Sequence, residues 1–258
     1  MRHALFPAGK RIRPLLCITA YRAAGGKSLA EVMNFACGIE LLHTFSLIQD
    51  DLPCMDDDDE RRGRPSLHRR FGEAAALLTS DAMFSEAFEL FAGAPVTCSR
   101  RVRAIKTIAR AVGRDGIVEG QLNDIDPGKS HDARTLRRIH QLKTARLIAA
   151  SLVTGAIVAG ARRTVTAGLD RAGTYLGMLF QITDDLLDDC SGAEADSGTD
   201  LPGSLNYLQF YGRERTQFRA ERYLARYELE LGRLKNRLSA GGLRELKGIG
   251  VAVLRRRK

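Results

Sequence analysis

The chain contains no tryptophan, few cysteines and no hydrophobic run long enough to cross a membrane. Its longest apolar run, residues 147–161, has about fifteen residues, and a spanning helix needs about 20. This run therefore predicts a buried helix. The five cysteines show no CxxC spacing and are odd in number, which argues against a disulfide framework. Reduced thiols and a cytoplasmic location are expected.

Strand-like alternation of β-branched residues is also scarce, while helix-forming residues dominate. With 258 residues, 44% of them hydrophobic, the chain can bury a large core, and we expect a single all-α domain over residues 1–258. Its net charge of +9 is compatible with nucleic acid, anionic lipid or phosphorylated small molecules as partners. The N-terminus faintly resembles a signal peptide, but Pro14 and Arg22 interrupt its apolar part.

The most unusual segment is acidic and then basic. Seven carboxylates lie between Asp50 and Glu60, and arginines follow directly. Before Asp50, residues at helical spacing change from apolar to polar, which predicts a helix that lines a cavity with an apolar floor and a charged mouth. Either arginine side chains or Mg²⁺ ions must offset the repulsion between these carboxylates. A solvated surface turn is the alternative.

A second acidic cluster ends a helix that is predicted to begin near Thr166. One stripe of this helix carries Gly173, Gly177, Gln181, Asp184 and Asp188, and Asp185 is adjacent. Glycines reduce helix stability, so the stripe indicates either close helix packing or space for a ligand. The carboxylates at its end favour the ligand.

Further helices are predicted over 73–91, 95–112, 213–238 and 243–257, with a short one near 116–124 and a polar loop over 191–203. Ser28 and Glu31 predict a capping box. Lys143 lies inside a helix, where a lysine usually extends to the surface. The basic residues at the C-terminus predict a solvated face. Residues 9–14 predict a loop before a helix N-terminus, where charge and backbone amides can hold a phosphate.

Five motifs together resemble the trans-polyprenyl diphosphate synthases, the family of farnesyl and geranylgeranyl diphosphate synthases. They are Gly9-Lys10-Arg11-Ile12-Arg13-Pro14; Asp50-Asp51-Leu52-Pro53-Cys54-Met55-Asp56 with Arg61-Arg62-Gly63; Gly120-Gln121; Lys143-Thr144; and Gln181-Ile182-Thr183-Asp184-Asp185-Leu186-Leu187-Asp188. The resemblance covers nearly the whole chain, although the helices that precede the first motif in this family are missing. It implies a mostly antiparallel helical bundle around one central cavity, the isoprenoid synthase type, and usually a homodimer.

The resemblance also implies the reaction and its residues. A Mg²⁺-dependent prenyltransferase would condense dimethylallyl or geranyl diphosphate with isopentenyl diphosphate, using three Mg²⁺ ions per site, or Mn²⁺ instead. The metal ligands would be Asp50, Asp51, Asp56, Asp184, Asp185 and Asp188. All of these except Asp188, together with Lys143, would form the catalytic set. Isopentenyl diphosphate would be held by Lys10, Arg13, His43 and Arg62. The allylic substrate would contact Arg61, Lys143, Thr144 and Gln181.

Chain length is assigned to Phe45 and Ser46, which precede the first aspartates. Phe45 lies about 7.5 Å before Asp50 along the helix, so its ring should shorten the cavity. This predicts farnesyl diphosphate (C15) rather than the C20 product, and the alternative is that Phe45 is ordinary core. One motif departs from the family: Ser204 replaces the lysine that usually contacts the allylic diphosphate.

Three other functions stay open at this point. Ser204 and the short N-terminus favour a weakened or non-catalytic subunit of a heteromeric synthase, whereas the intact aspartates argue against it. A terpene cyclase on the same bundle would not need Lys10 and Arg13. Nucleic-acid binding is disfavoured, because cations gathered around acidic clusters suit diphosphates better.

Overall fold

The computed structural model describes residues 1–6, 9–126, 128, 130, 132–189 and 206–256, except for the side chains of residues 188 and 189. Its helices are α1 (Arg2–Leu5), α2 (Ile12–Ala23), α3 (Leu29–Asp50), α4 (Leu67–Phe71), α5 (Glu73–Ala92), α6 (Cys98–Val112), α7 (Ile117–Ile125), α8 (Ala133–His140), α9 (Arg146–Val158), α10 (Arg163–Asp189), α11 (Tyr207–Arg233) and α12 (Ala240–Arg255). A π-helical segment, Gln141–Ala145, joins α8 to α9. The prediction of an all-α chain is confirmed.

The only β-structure in the described part of the chain is a short hairpin of β1 (Glu60–Arg61) and β2 (Arg64–Pro65). Its strands are antiparallel, with Glu60 opposite Pro65 and Arg61 opposite Arg64. The turn needs left-handed backbone at two successive residues, Arg62 (φ 55°) and Gly63 (φ 71°). The hairpin connects the acidic loop, residues 51–59, to α4.

Helix α9 lies at the centre of the bundle, and every residue from Leu147 to Val158 is buried. It packs against α2, α6 and α10. Two faces of α9 enter two separate apolar clusters, one containing Ile148, Leu152 and Ala156 and the other Leu147, Val153 and Ile157. The prediction of a buried helix for this apolar run is therefore confirmed. Within the described ranges, no helix combines the length and the apolar character needed to cross a bilayer.

The two glycines of the α10 stripe are sites of close helix packing. A Cβ atom on Gly173 would lie 2.4 Å from the Cα atom of Ala149, and one on Gly177 would lie 2.3 Å from the Cα atom of Ala145. Such distances are far below carbon–carbon contact. The prediction that these glycines make space for a ligand is wrong: they bring α10 against α9 and the π-helical segment.

Several local predictions also need correction. Helix α3 does follow Ser28, but the Ser28 side chain makes no capping hydrogen bond. Instead, the Tyr21 hydroxyl lies 2.8 Å from Glu31 Oε2 and accepts a hydrogen bond from the Ser28 amide. Helix α6 begins at Cys98 rather than Pro95: residues 95 and 96 form a bend and Thr97 is the N-cap. The predicted loop over 191–203 lies outside the described residues.

Candidate active site

The first acidic cluster forms where α3 ends. Asp50 is the last helical residue, and its carbonyl accepts a 2.9 Å hydrogen bond from the Asp56 amide, which turns the acidic loop back over the helix end. Burial raises the pKa of Asp50 to about 7, and the charges of Asp56 and Asp51 act in the same direction. Burial also raises the pKa values of Asp51 and Asp56. Positive charge close to these carboxylates would offset this effect of burial.

Cationic and amide groups from other elements contact this cluster. Arg61, on the hairpin, donates a 2.8 Å hydrogen bond from Nε to Asp51 Oδ1 and also pairs with Asp58. The side-chain amide of Gln121, on α7, donates to Asp50. The acidic loop, the hairpin and α7 thus meet at the end of α3.

Lys143 faces the same cluster from the π-helical segment. Its Nζ lies 3.1 Å from Asp124 Oδ2 and 3.8 Å from Asp56 Oδ2. Burial lowers the pKa of Lys143, but the charges of Asp50, Asp56 and Asp124 outweigh burial, so the pKa is raised and the amine stays protonated. The expectation that Lys143 extends to the solvated surface is wrong.

The next residue, Thr144, faces the second acidic cluster. Its hydroxyl donates a 2.7 Å hydrogen bond to Gln181 Oε1, and Gln181 Nε2 donates a 3.0 Å hydrogen bond to Asp185 Oδ1. The Tyr207 amide donates to the other oxygen of Asp185 at 2.8 Å. Lys143 and Thr144, consecutive residues of the π-helical segment, therefore connect the acidic end of α3 to the acidic end of α10.

Asp184, beside Asp185, pairs with the guanidinium of Arg256. Arg256 follows α12 and also donates a 2.8 Å hydrogen bond to the Phe180 carbonyl. Only 8% of its side chain is exposed. The prediction that the C-terminal basic residues form a solvated face is therefore wrong for Arg256. The side chain of Asp188 lies outside the described residues.

A group of basic side chains lies beside the acidic clusters. Arg13 Nη1, on α2, is 3.1 Å from His43 Nε2, on α3. Burial lowers the pKa of His43 well below its usual value, and the charges of Arg13 and Arg62 lower it further, so the imidazole is neutral. Burial lowers the pKa of Arg13 to about 10. The buried Nε of Arg13 has no hydrogen-bond partner among the described residues. Lys10 is exposed.

The two residues assigned to chain length are buried in α3. Phe45 is 7% exposed, and its ring centroid lies 5.2 Å from that of Phe84 on α5. The Phe84 ring lies 5.0 Å from the Phe88 ring, so Phe45 packs against a row of aromatic rings on α5. Ser46 donates a 3.0 Å hydrogen bond to the His43 carbonyl of its own helix.

Glu40, Asp124 and Arg256 also lie in this region, although no motif in the sequence predicted a role for them. Glu40, one turn before His43 on α3, pairs with Arg11. Asp124 and Gln121 are three residues apart on α7, a spacing that puts both on one face of a helix. That spacing could have identified Asp124. Nothing in the sequence pairs Arg256 with a residue 72 positions earlier.

The donor set suits a hard divalent cation. Carboxylates at the ends of α3 and α10 provide, once ionised, the oxygen ligands that Mg²⁺ prefers, and Mg²⁺ usually keeps its other positions for water and substrate oxygens. Helical bundles commonly build metal sites from carboxylates on facing helices. Arg61, Lys143 and Arg256 partly neutralise these carboxylates. The donors present therefore fit Mg²⁺.

The chain belongs to the polyprenyl synthetase family, whose model matches residues 1–202. Among curated relatives, it is 38% identical over 225 residues to "Geranylgeranyl pyrophosphate synthase 4" of Arabidopsis thaliana, covering 84% of this chain and 60% of the relative. It is 42% identical over 238 residues to "Heterodimeric geranylgeranyl pyrophosphate synthase large subunit 1, chloroplastic" of the same plant, covering 86% and 63%. The chain thus spans about six tenths of the length of these relatives.

Solved structures show the same fold. The geranyltransferase of Helicobacter pylori complexed with magnesium and isoprenyl diphosphate matches with a TM-score of 0.86 and 29% identity, covering 98% of this chain and 86% of that one. An FPP/GFPP synthase from Zymomonas mobilis matches with a TM-score of 0.85 and 30% identity over the same shares. The isoprenoid synthase fold and the family predicted from five motifs are confirmed.

Proposed function

We propose that the chain is a Mg²⁺-dependent short-chain prenyl diphosphate synthase. The observation that carries this proposal is the connection through Lys143 and Thr144, which brings two acidic helix ends to one place beside Arg13, His43 and Arg62. Diphosphate chemistry needs such a mixture of metal ligands and cations. The relatives named as geranylgeranyl pyrophosphate synthases, and the structural neighbour with magnesium and isoprenyl diphosphate, support the same class.

In the proposed reaction the carbon–oxygen bond of an allylic diphosphate breaks and pyrophosphate leaves. The alkene of isopentenyl diphosphate then attacks the allylic cation through a new carbon–carbon bond, and a proton is lost to give the longer allylic diphosphate. Mg²⁺ bound by Asp50, Asp51, Asp56, Asp184, Asp185 and Asp188 would neutralise the charge that develops on the leaving group. Three ions per site, or Mn²⁺ in their place, remain part of the proposal.

The chain's own polar groups would orient the substrates. Arg13, with its unpartnered Nε, and Arg62 would hold the diphosphate of isopentenyl diphosphate together with His43 and the exposed Lys10. Arg61 would contact the allylic diphosphate. The charge that develops in the reaction would be stabilised by the fixed dipoles of Thr144 and Gln181 and by the charge of Lys143. Preorganised groups in a buried site stabilise developing charge most strongly.

The central test is a prenyl-transfer assay with Mg²⁺, isopentenyl diphosphate and each of dimethylallyl and geranyl diphosphate. We expect Asp50→Asn and Asp184→Asn to lower kcat/KM by at least about a hundredfold, since each removes a charged ligand. Asp115→Asn, at an exposed position, is the matched control. A wild-type protein without any C10 to C20 product, together with an inert Ser204→Lys variant, would refute the proposal.

Product length is a second part of the proposal. The curated relatives are named for geranylgeranyl pyrophosphate, so C20 fits them better than the C15 predicted from Phe45. C15 stays a candidate because the buried Phe45 ring, which packs against Phe84, lies only five residues before Asp50 on α3. We expect Phe45→Ala to lengthen the product. Phe35→Ala removes another buried ring, about 15 Å before Phe45 along α3, and should leave product length unchanged.

The assembly is also proposed. A homodimer is predicted from the family, and one relative is named as the large subunit of a heterodimeric synthase, which favours a heteromer as the second candidate. The molar mass of the purified chain, measured alone and after co-expression with a second synthase, distinguishes the two. A dimer of the chain alone supports the homodimer, and a complex that forms only with the second synthase supports the heteromer. The cytoplasmic location stays a prediction, since some relatives are named chloroplastic.

A further inference from the structure

Beside the proposed active site, two aspartates and a histidine converge at the base of the hairpin. The ligand atoms of Asp57, Asp59 and His68 all lie within 4.8 Å of one another. The backbone is already closed there, because the Ser66 amide donates a 2.8 Å hydrogen bond to the Asp59 carbonyl. The hairpin therefore brings together residues eleven positions apart before any ligand binds.

His68 is the feature that points to a ligand. Its side chain is only 3% exposed, and its Nε2 lies 3.9 Å from Asp57 Oδ1, too far for a hydrogen bond. That buried nitrogen has no hydrogen-bond partner among the described residues. Leaving a buried polar atom unsatisfied is costly in a folded protein. Nε2 is thus a buried, unused ligand atom directed at two carboxylates.

The other ring nitrogen is already engaged. His68 Nδ1 lies 3.1 Å from the hydroxyl of Ser66, a buried residue. When Nδ1 carries the proton and donates it to this hydroxyl, Nε2 carries the lone pair and is free to bind a metal. Histidine ligands in metal sites are usually oriented in this way by a partner on the second nitrogen.

The three ligand atoms, all within 4.8 Å of one another, must move inward before they can share one small dication. Two ligands about 2.1 Å from a tetrahedral Zn²⁺ ion lie about 3.4 Å apart, so the Asp57–His68 separation of 3.9 Å needs to shorten by about half an ångström. Asp57 is 53% exposed and can move. Asp59 pairs with Arg69 through Oδ1, which leaves Oδ2 for the ion.

We propose that Asp57, Asp59 and His68 form a site for a first-row transition dication such as Zn²⁺, separate from the aspartates assigned to Mg²⁺. One imidazole with two carboxylates is a donor set for such ions, whereas Mg²⁺ prefers oxygen alone. A bound ion ties the acidic loop to the start of α4 and so fixes the hairpin that carries Arg61 and Arg62. The proposal does not depend on the chain being a synthase.

The test is calorimetric titration of the full chain with Zn²⁺ in a large excess of Mg²⁺. We expect one Zn²⁺ per chain, and at least about tenfold weaker binding in His68→Gln and in Asp57→Asn. Two controls should bind as the wild type does: His3→Gln, which removes an imidazole next to α4, and Asp184→Asn, which alters the second acidic cluster.

Three results would overturn the proposal: no Zn²⁺ binding by the wild type, full binding by His68→Gln, or loss of binding in Asp184→Asn. The last would assign the ion to the aspartates at the ends of α3 and α10. If circular dichroism shows that His68→Gln does not fold, Asp57→Asn decides the question, because that side chain is exposed and its loss leaves the core intact. Prenyl-transfer activity is not part of the readout, so a failure here is separate from a failure of the proposed reaction.

Discussion

Replacement of Gly177 by alanine should destabilise the chain, although alanine is the better helix former. A Cβ atom at this position would lie 2.3 Å from Ala145 Cα and 2.6 Å from Ala145 Cβ. Carbon atoms in contact are usually 3.5–4.0 Å apart, so α10 and the π-helical segment must separate by about 1 Å or more. Overpacking of this kind costs about 1–3 kcal/mol, and it opposes a gain of about 1 kcal/mol in helix propensity.

Gly248→Ala is the matched control. Gly248 lies in the middle of α12, and a Cβ atom there would meet nothing within 4 Å. Only the propensity gain remains, so this variant should be more stable than the wild type by about 0.5–1 kcal/mol. The free energies of unfolding of the two variants should therefore differ by about 1–3 kcal/mol.

Urea denaturation measures this difference directly, and thermal unfolding should show it as about 2–4 °C per kcal/mol for a chain of this size. The Gly177 variant should also lose activity, because Gln181 lies one turn further along α10 and its hydrogen bond with Thr144 depends on the same helix spacing. Equal stabilisation by alanine at both positions would refute the close-packing argument.

Three further predictions test single buried groups. In the folded chain the pKa of His43 lies well below its usual 6.5. Below about pH 6.5 the imidazole is therefore protonated in the unfolded state but still neutral in the folded state. Proton uptake then favours unfolding, so the free energy of unfolding falls as the pH is lowered through this range. His43→Gln should flatten this decline between about pH 7 and 5 in urea denaturation, and equal slopes would contradict the assignment. Burial raises the pKa of the Cys17 thiol, so Cys17 should resist iodoacetamide in the native chain, unlike exposed Cys37, Cys54 and Cys98. Mass spectrometry that finds Cys17 alkylated as fast as these would show that it is accessible. Tyr227 donates a buried 2.8 Å hydrogen bond to the Leu246 carbonyl, so Tyr227→Phe should lower the free energy of unfolding by about 1–3 kcal/mol, and an unchanged urea midpoint would argue against it.

Periodicity predicted the main helices well because their patterns are local. The stripe before Asp50 becomes α3, the run at 147–161 becomes the buried α9, and α5 begins at the predicted Glu73. Boundaries were less accurate where a bend stands in place of the predicted helix start, as at Pro95. The failed capping box has a similar cause: Tyr21, from the preceding helix, competes for Glu31 and for the Ser28 amide.

The pairing of site residues was harder to predict, because it depends on contacts between distant parts of the chain. The motifs identified Asp50, Asp184 and Lys143, but only the fold shows that Lys143 faces Asp124 and Asp56 rather than solvent. Arg256 was assigned to a solvated tail on composition alone. Its contact with Asp184 depends on where α12 ends relative to α10, which no local pattern specifies.

The glycine stripe also shows how packing and site geometry are linked. The π-helical segment is approached by a glycine on each side: a Cβ atom on Gly120, in α7, would lie 2.5 Å from the Lys143 amide nitrogen, just as one on Gly177 would overlap Ala145. Such close approach lets Lys143 reach the first acidic cluster while Thr144 reaches the second. Consecutive residues of a helical turn point in different directions, so Lys143 and Thr144 can reach two partners only if both partners lie this close. The glycines therefore act through packing: they set the distance between the groups that are proposed to bind the substrates and metal ions.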